Sequence, residues 1–272
     1  MKHVHFLLLF ILFGLSCSEP ELVLDNELDP ENPDFIPPET TILSPFPIPG
    51  LTITDNMITI HWEGNNDSME FQHQLDGNSW SAWNKNKYTS FNYLDEGEHA
   101  FLIRGRHLSG MEEELPDTLQ FSVNAIDGPS LRIFPLFTEI PNGEDFNVEV
   151  WAEEVVNVAA MEIVLRYELQ KLEIEEDDIA IGDFFSSNGG SILNFSSIEE
   201  EGDYGEITIN IGVYSGDPES VSGSGPVISI TPTAIMSGTT DLELLEGDII
   251  LREPDNEDIE IENAVNGVVV VQ

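Results

Sequence analysis

The sequence predicts an all-β protein of two β-sandwich domains, the second a nine-stranded jelly roll. Apolar residues alternate with period two over most of the chain from residue 38 onward, and helical periodicity is scarce. About 235 residues follow an N-terminal leader and an acidic stretch, enough for two domains, and the turn-rich segment "NAIDGPS" (124–130) divides them. The boundaries expected are a leader over 1–16, a tether over 17–37, a first sandwich over 38–126 and a second over 128–272.

The chain opens "MKHVHFLLLFILFGLSCSEP". Lys2 supplies a positive start, and Phe6 to Leu15 is apolar apart from Gly14. That run is shorter than the ~20 residues a membrane-spanning helix needs and fits the apolar region of a secretory signal. Cys17 is the only cysteine, so no internal disulfide can form. With "GLSC" in the place of the lipobox, the segment resembles a bacterial lipoprotein signal. The resemblance implies cleavage before Cys17, lipidation of Cys17 and export to the bacterial outer membrane or cell surface. Several acyl chains on one residue hold firmly where one holds weakly. The stretch "SEPELVLDNELDPENPDFIPPET" that follows is acidic, proline-rich and without periodicity, as expected of a disordered tether.

In the first domain, Ile58, Ile60 and Trp62 share one face of "MITIHWEG". Met69, Phe71, His73 and Leu75 share one of "MEFQHQLDG", and Leu119, Phe121 and Val123 one of "LQFSVNA". Turn signals separate these runs, so 38–126 reads as an antiparallel sandwich of short strands. "PPETTI", "QLDGNSWSAW" and "FNYLDEGEHAFLIRGRHLSG" resemble bacterial Ig-like or fibronectin type III-like modules, which implies a spacing or adhesive role. Trp80 and Trp83 are candidates to stack on sugar rings or, alternatively, to pack over the sheet. Arg104 and Arg106, on one face of one strand, are expected to pair with carboxylates, as exposed ion pairs of little individual worth.

In the second domain, Phe146, Val148, Val150 and Ala152 share a face, as do Ile163, Leu165 and Tyr167, and Ile207, Ile209, Ile211 and Val213. The final "GVVVV" reads as a strand buried on both sides, and the glycines of "GSGPVISI" read as a turn that releases a strand. The succession "NGEDFNVEVWAEEVVNVAAMEIVLRYELQKLEI", "IGDFF", "GEITINIGVYSG", "VSGSGPVISITPTAIMSGTTDLELLEGDIIL" and "GVVVV" resembles a cohesin, the jelly-roll receptor module of cellulosome scaffolds. The same architecture occurs in carbohydrate-binding modules, and fold alone does not decide between them.

The formal net charge of −43, from 52 acidic and 9 basic residues, argues against nucleic acid and anionic membrane surfaces as partners. Membrane contact is then expected through the lipid anchor only. No His or Cys follows residue 128, which removes histidine-based nucleophile systems and His/Cys zinc sites from the second domain. His61, His73, His99 and His107 read as packed or surface residues. No glycine-rich phosphate loop occurs, so the reading is non-enzymatic. Calcium is the cofactor option: "EIEEDDIAIGD" and "EPDNEDIEIEN" gather hard oxygen ligands without matching the EF-hand spacing.

The cohesin resemblance implies a dockerin partner, a calcium-loaded helical module, docked on one sheet face. In the family's usual Asn and Asp places the chain has Ala160 and Glu162. Alternation points Glu162, Val164 and Arg166 outward from one strand, and Thr208, Asn210 and Tyr214 from another, with Ser215 and Asp217 in the loop beyond. These eight are the candidate partner-binding residues. The alternative partner is a polysaccharide, for which Trp151 joins Trp80 and Trp83 as a stacking candidate.

Overall fold

A computed structural model describes residues 26–272 except 47, 188 and 216–218. The leader, Cys17 and Asp217 lie outside the described residues. The fold is all-β, with two short 3-10 turns (Glu176–Asp178 and Glu246–Asp248) as its helical elements among those residues.

Residues 26–37, expected as part of a disordered tether, form a succession of turns. Asn26, Asp29 and Asn32 each accept a hydrogen bond from the backbone N–H two residues on, at 3.1, 3.0 and 2.9 Å. Such side-chain bonds stabilise turns without a core. The carbonyl of Ile36 then bonds Nε2 of the buried His107 at 2.9 Å, tying the segment to the first sandwich.

Seven strands build that sandwich: β1 (Thr40–Ser44), β2 (Thr52–Ile53), β3 (Ile58–Gly64), β4 (Met69–Leu75), β5 (Tyr88–Phe91), β6 (Gly97–His107) and β7 (Asp117–Val123). They form a three-stranded sheet β1–β3–β5 and a four-stranded sheet β2–β7–β6–β4. The pairing is antiparallel except β2, which runs parallel to β7. Ile58, Ile60 and Trp62 meet Phe71, Phe101, Leu119 and Phe121 in one core; alternation assigned these faces for all but Phe101.

Fifteen strand segments follow: β8 (Ser130–Phe134), β9 (Phe137–Ile140), β10 (Val148–Val158), β11 (Ala160–Glu168), β12 (Leu172–Glu173), β13 (Ile179–Ile181), β14 (Ser191–Glu201), β15 (Tyr204–Ser215), β16 (Val221–Ile230), β17 (Thr233–Ala234), β18 (Gly238–Leu244), β19 (Ile250–Arg252), β20 (Asp258–Ile259), β21 (Asn263–Val265) and β22 (Gly267–Val271). One sheet runs β13–β16–β10–β8–β21; the other runs β14–β15–β11–β18–β22–β9, with β19 beside β11 and β20 beside β19. The count exceeds the nine expected because extended runs split. "SLRIFPLFTEI" breaks at Pro135, which has no N–H to continue a ladder, and β8 and β9 join different sheets. The last strands divide the same way, β21 running parallel to β8 and β22 parallel to β9.

The core between these sheets includes Leu131, Val150, Val155, Ile163, Leu165, Phe185, Ile207, Val227 and Leu242. Two expectations change. "GVVVV" is not buried on both sides: Val269 and Val271 are buried, while Val268 and Val270 are half-exposed. The glycines of "VSGSGPVISI" make no turn before a strand. Gly223 sits inside β16 at an irregularity opposite Val155, with φ at 115°.

The two sandwiches meet where the β5–β6 loop touches the start of the second sandwich. Asp95 accepts the Leu136 N–H at 2.8 Å. Tyr93 and Phe137 stack with ring centroids 6.0 Å apart.

Candidate functional site

The outer face of β14, β15 and β11 carries the site. Antiparallel register sets its rows. Phe195, Asn210 and Glu162 stand side by side, and so do Leu193, Gly212 and Ala160. The inward residues of the same strands, Ile207, Ile209, Ile211, Ile163 and Leu165, enter the core, so the outward set follows from the period of two.

Three large apolar side chains stand out from this face: Leu193, Phe195 and Tyr214 are 51%, 64% and 77% exposed. With Ala160, Asn210 and Gly212 they border an open depression of about 590 Å³. Gly212 forms its floor. A Cβ there would come within 2.8 Å of the Ala159 carbonyl oxygen and 3.0 Å of the Ala160 Cβ, so the strands approach closely and leave the row low between taller neighbours.

Glu162, Thr208 and Asn210 are at least partly accessible on this face, and Ser215 is exposed at the end of β15. Val164 is not outward-facing in effect. It is only 8% exposed, and its carbonyl accepts the Leu245 N–H at 2.9 Å. Segment 245–248 crosses there, between the stretches where β11 pairs β18 and β19, which strand alternation could not show. Arg166 is already engaged: its guanidinium bonds Glu243 through Nε at 3.0 Å and Nη2 at 2.5 Å and lies 5.1 Å from the Tyr204 ring.

Leu193 and Phe195 are the principal residues that the sequence reading missed. Their signal was present. "SILNFSSI" has apolar residues on both parities: Ile192 and Ile198 pack on the core, which leaves Leu193 and Phe195 on the other side.

The tryptophans pack with arginine instead of standing free for a sugar. The Arg104 guanidinium lies 4.8 Å from Trp80 and 5.6 Å from Trp83, and Arg106 lies 4.4 Å from Trp83. The two arginines also reach carboxylates, Glu112 at 3.3 Å and Glu70 at 2.7 Å. Trp151 is half-buried, with the Arg132 guanidinium 4.9 Å from its ring and its Nε1 donating to Glu149 at 2.6 Å.

The histidines are structural partners. Burial lowers the His73 pKa. His99 places Nδ1 2.7 Å from Asp76 and Nε2 2.8 Å from the Asp95 carbonyl. Burial alone would depress its pKa, but these two contacts hold it above its ordinary value. Among the described residues no three His, Cys, Asp or Glu side chains are grouped to hold a metal ion. In the first acidic stretch, Asp178 instead accepts the Glu175 N–H at 2.7 Å. In the second, Asp258 pairs with Arg252.

An exposed apolar surface on a rigid sheet has the form of a binding face. No protein-family model matches the chain, and no curated protein matches it. Solved structures of cohesins do. The chain is 19% identical to a non-cellulosomal cohesin from the hyperthermophilic archaeon Archaeoglobus fulgidus, over 53% of this chain and 90% of that one, with a TM-score of 0.39. It is 16% identical to the sixth cohesin of Acetivibrio cellulolyticus scaffoldin B, solved in complex with a Cel5 dockerin mutant. That likeness covers 54% of this chain and 100% of that one, with a TM-score of 0.42. A Clostridium thermocellum OlpA cohesin, solved in a type I cohesin–dockerin complex, is 15% identical over 53% of this chain and 99% of that one, again with a TM-score of 0.42.

Proposed function

We propose that the chain is a non-enzymatic, lipid-anchored surface protein. Its second sandwich docks a partner module of the dockerin type in a polysaccharide-degrading or cell-surface assembly. The observation that carries this reading is the group Leu193, Phe195 and Tyr214, standing exposed around the low floor at Gly212. Large apolar side chains on a rigid face supply the central anchors of interfaces. Glu162 and Glu206 flank the face on β11 and β15, so a partner with an apolar ridge and basic margins complements it. The strand pattern of residues 128–272 supports the same reading, and any calcium would then be brought by the partner. In this reading Cys17 carries the lipid. The three-plus-four sandwich is an Ig-like spacer that sets the binding face away from the membrane.

The test is capture from the source organism's lysate by residues 18–272, with calcium and then with chelator. Chelator-sensitive capture of proteins that share a small helical module, abolished by Phe195→Glu with Tyr214→Glu, supports the proposal. Capture that is indifferent to both substitutions overturns this face as the site. Incorporation of labelled palmitate, lost on Cys17→Ser, tests the anchor separately.

A further inference from the structure

A second site lies where the two sandwiches meet. A cleft of about 570 Å³ opens between the β4 and β5 ends of the first sandwich and Phe137 of the second. This is within the size range of ligand pockets, which favour domain junctions.

Its rim is an aromatic platform. Tyr93 and Phe137, one from each sandwich, stack with their planes 14° apart and their centroids 6.0 Å apart. They remain 45% and 40% exposed. Tyr93 holds φ at 59°, a conformation that bulky side chains rarely adopt. Backbone strain of this kind persists where the surroundings impose it, and it concentrates at ligand sites.

Uncharged polar groups complete the wall. The exposed side chains of Asn78, Ser79 and Asn92 line the cleft and have no hydrogen-bond partner among the described residues. The charged lining is already spoken for: Asp76 binds His99 and the Ala100 N–H, and Asp95 binds the Leu136 N–H. The chain's net charge of −43 disfavours anionic ligands, and no three metal-ligating side chains gather among the described residues. Free amides and hydroxyls both donate and accept, as sugar hydroxyls do, and an aromatic face matches the apolar face of a pyranose.

We infer that this cleft binds a neutral saccharide, packed against the exposed surface of the Tyr93–Phe137 pair and hydrogen-bonded by Asn78, Ser79 and Asn92. The platform exists only while the two sandwiches are docked, so binding reports on the joint as well as on the residues.

The test is a titration of ¹⁵N-labelled residues 18–272 with cellohexaose, xylohexaose, mannohexaose, laminarihexaose and chitohexaose at millimolar concentration, followed by amide shifts. At least one is expected to move the resonances of Asn78, Asn92 and Tyr93. Tyr93→Ala and Phe137→Ala should each weaken that binding about tenfold while resonances away from the joint stay in place, and Trp83→Ala should leave it unchanged. Binding by none of the five, or shifts that persist in both rim variants, overturns the proposal.

Discussion

Arg132 Nε donates to Glu153 Oε1 at 2.7 Å, with the two side chains only 3% and 10% exposed. The pair joins β8 to β10 inside a chain that has few cations to spare. Arg132 Nη1 has no hydrogen-bond partner among the described residues and lies 4.0 Å from Asp95 of the other sandwich. Removing one partner of a buried pair leaves an uncompensated charge, which costs more than the pair contributes. Glu153→Ala should therefore lower unfolding stability by about 3–5 kcal/mol. Arg132→Met with Glu153→Leu should recover most of it in a urea titration. Equal loss in the single and double variants would contradict this account.

Gly128 lies against the same strand. A Cβ there would sit 2.3 Å from the Glu153 carbonyl oxygen and 2.6 Å from the Glu154 Cβ. Because the first obstacle is backbone, the junction must shift to admit it. Gly128→Ala should cost roughly 1–3 kcal/mol by overpacking, read by thermal denaturation. A cost near zero would mean that the junction yields freely.

Asp95 fastens the joint through the Leu136 N–H at 2.8 Å. Asp95→Ala removes the acceptor and leaves that N–H unpaired, a loss of about 1–3 kcal/mol. The expected consequence is looser coupling of the sandwiches, seen as a larger radius of gyration in solution scattering with unchanged far-ultraviolet circular dichroism. An unchanged radius would assign the docking to the Tyr93–Phe137 stack instead.

The joint also makes stability depend on pH. His99 has its pKa raised by the Asp95 carbonyl and Asp76 against the opposing effect of burial. Its contribution is therefore complete below the ordinary value of 6.5 and is lost as pH rises through the folded value. Burial raises the Asp95 and Glu96 carboxyls, which also favours the folded state at lower pH. His73, lowered by burial, works the other way and costs stability as pH falls. The wild-type urea midpoint minus that of His99→Gln should thus decline as pH rises above 6.5. A difference that rises with pH would refute the sign.

Exposed residues of the β14–β15 face should be separable from folding. Phe195→Glu and Tyr214→Glu are each expected to change stability by no more than about 0.5 kcal/mol. A loss of several kcal/mol in either would show that the side chain supports the sheet.

The sequence by itself determined the all-β class and most of the core. A period of two sends alternate side chains to opposite faces, so Ile60 and Trp62, or Ile163 and Leu165, could be assigned inward from spacing alone. It also placed Asn210 and Tyr214 outward. It left Leu193 and Phe195 unrecognised, because an apolar residue on the second parity of an edge strand looks like more core until its neighbours are known. Val164 shows the reverse error: alternation puts it outside, and segment 245–248, far along the chain, covers it. The tryptophans were legible as aromatic surface, but Arg104, Arg106 and Arg132 reach them across strands. The same holds for the cleft, since Tyr93 and Phe137 are 6.0 Å apart in space but belong to different sandwiches. Local periodicity sets which way a side chain points. Only the packing of distant segments sets what it meets there.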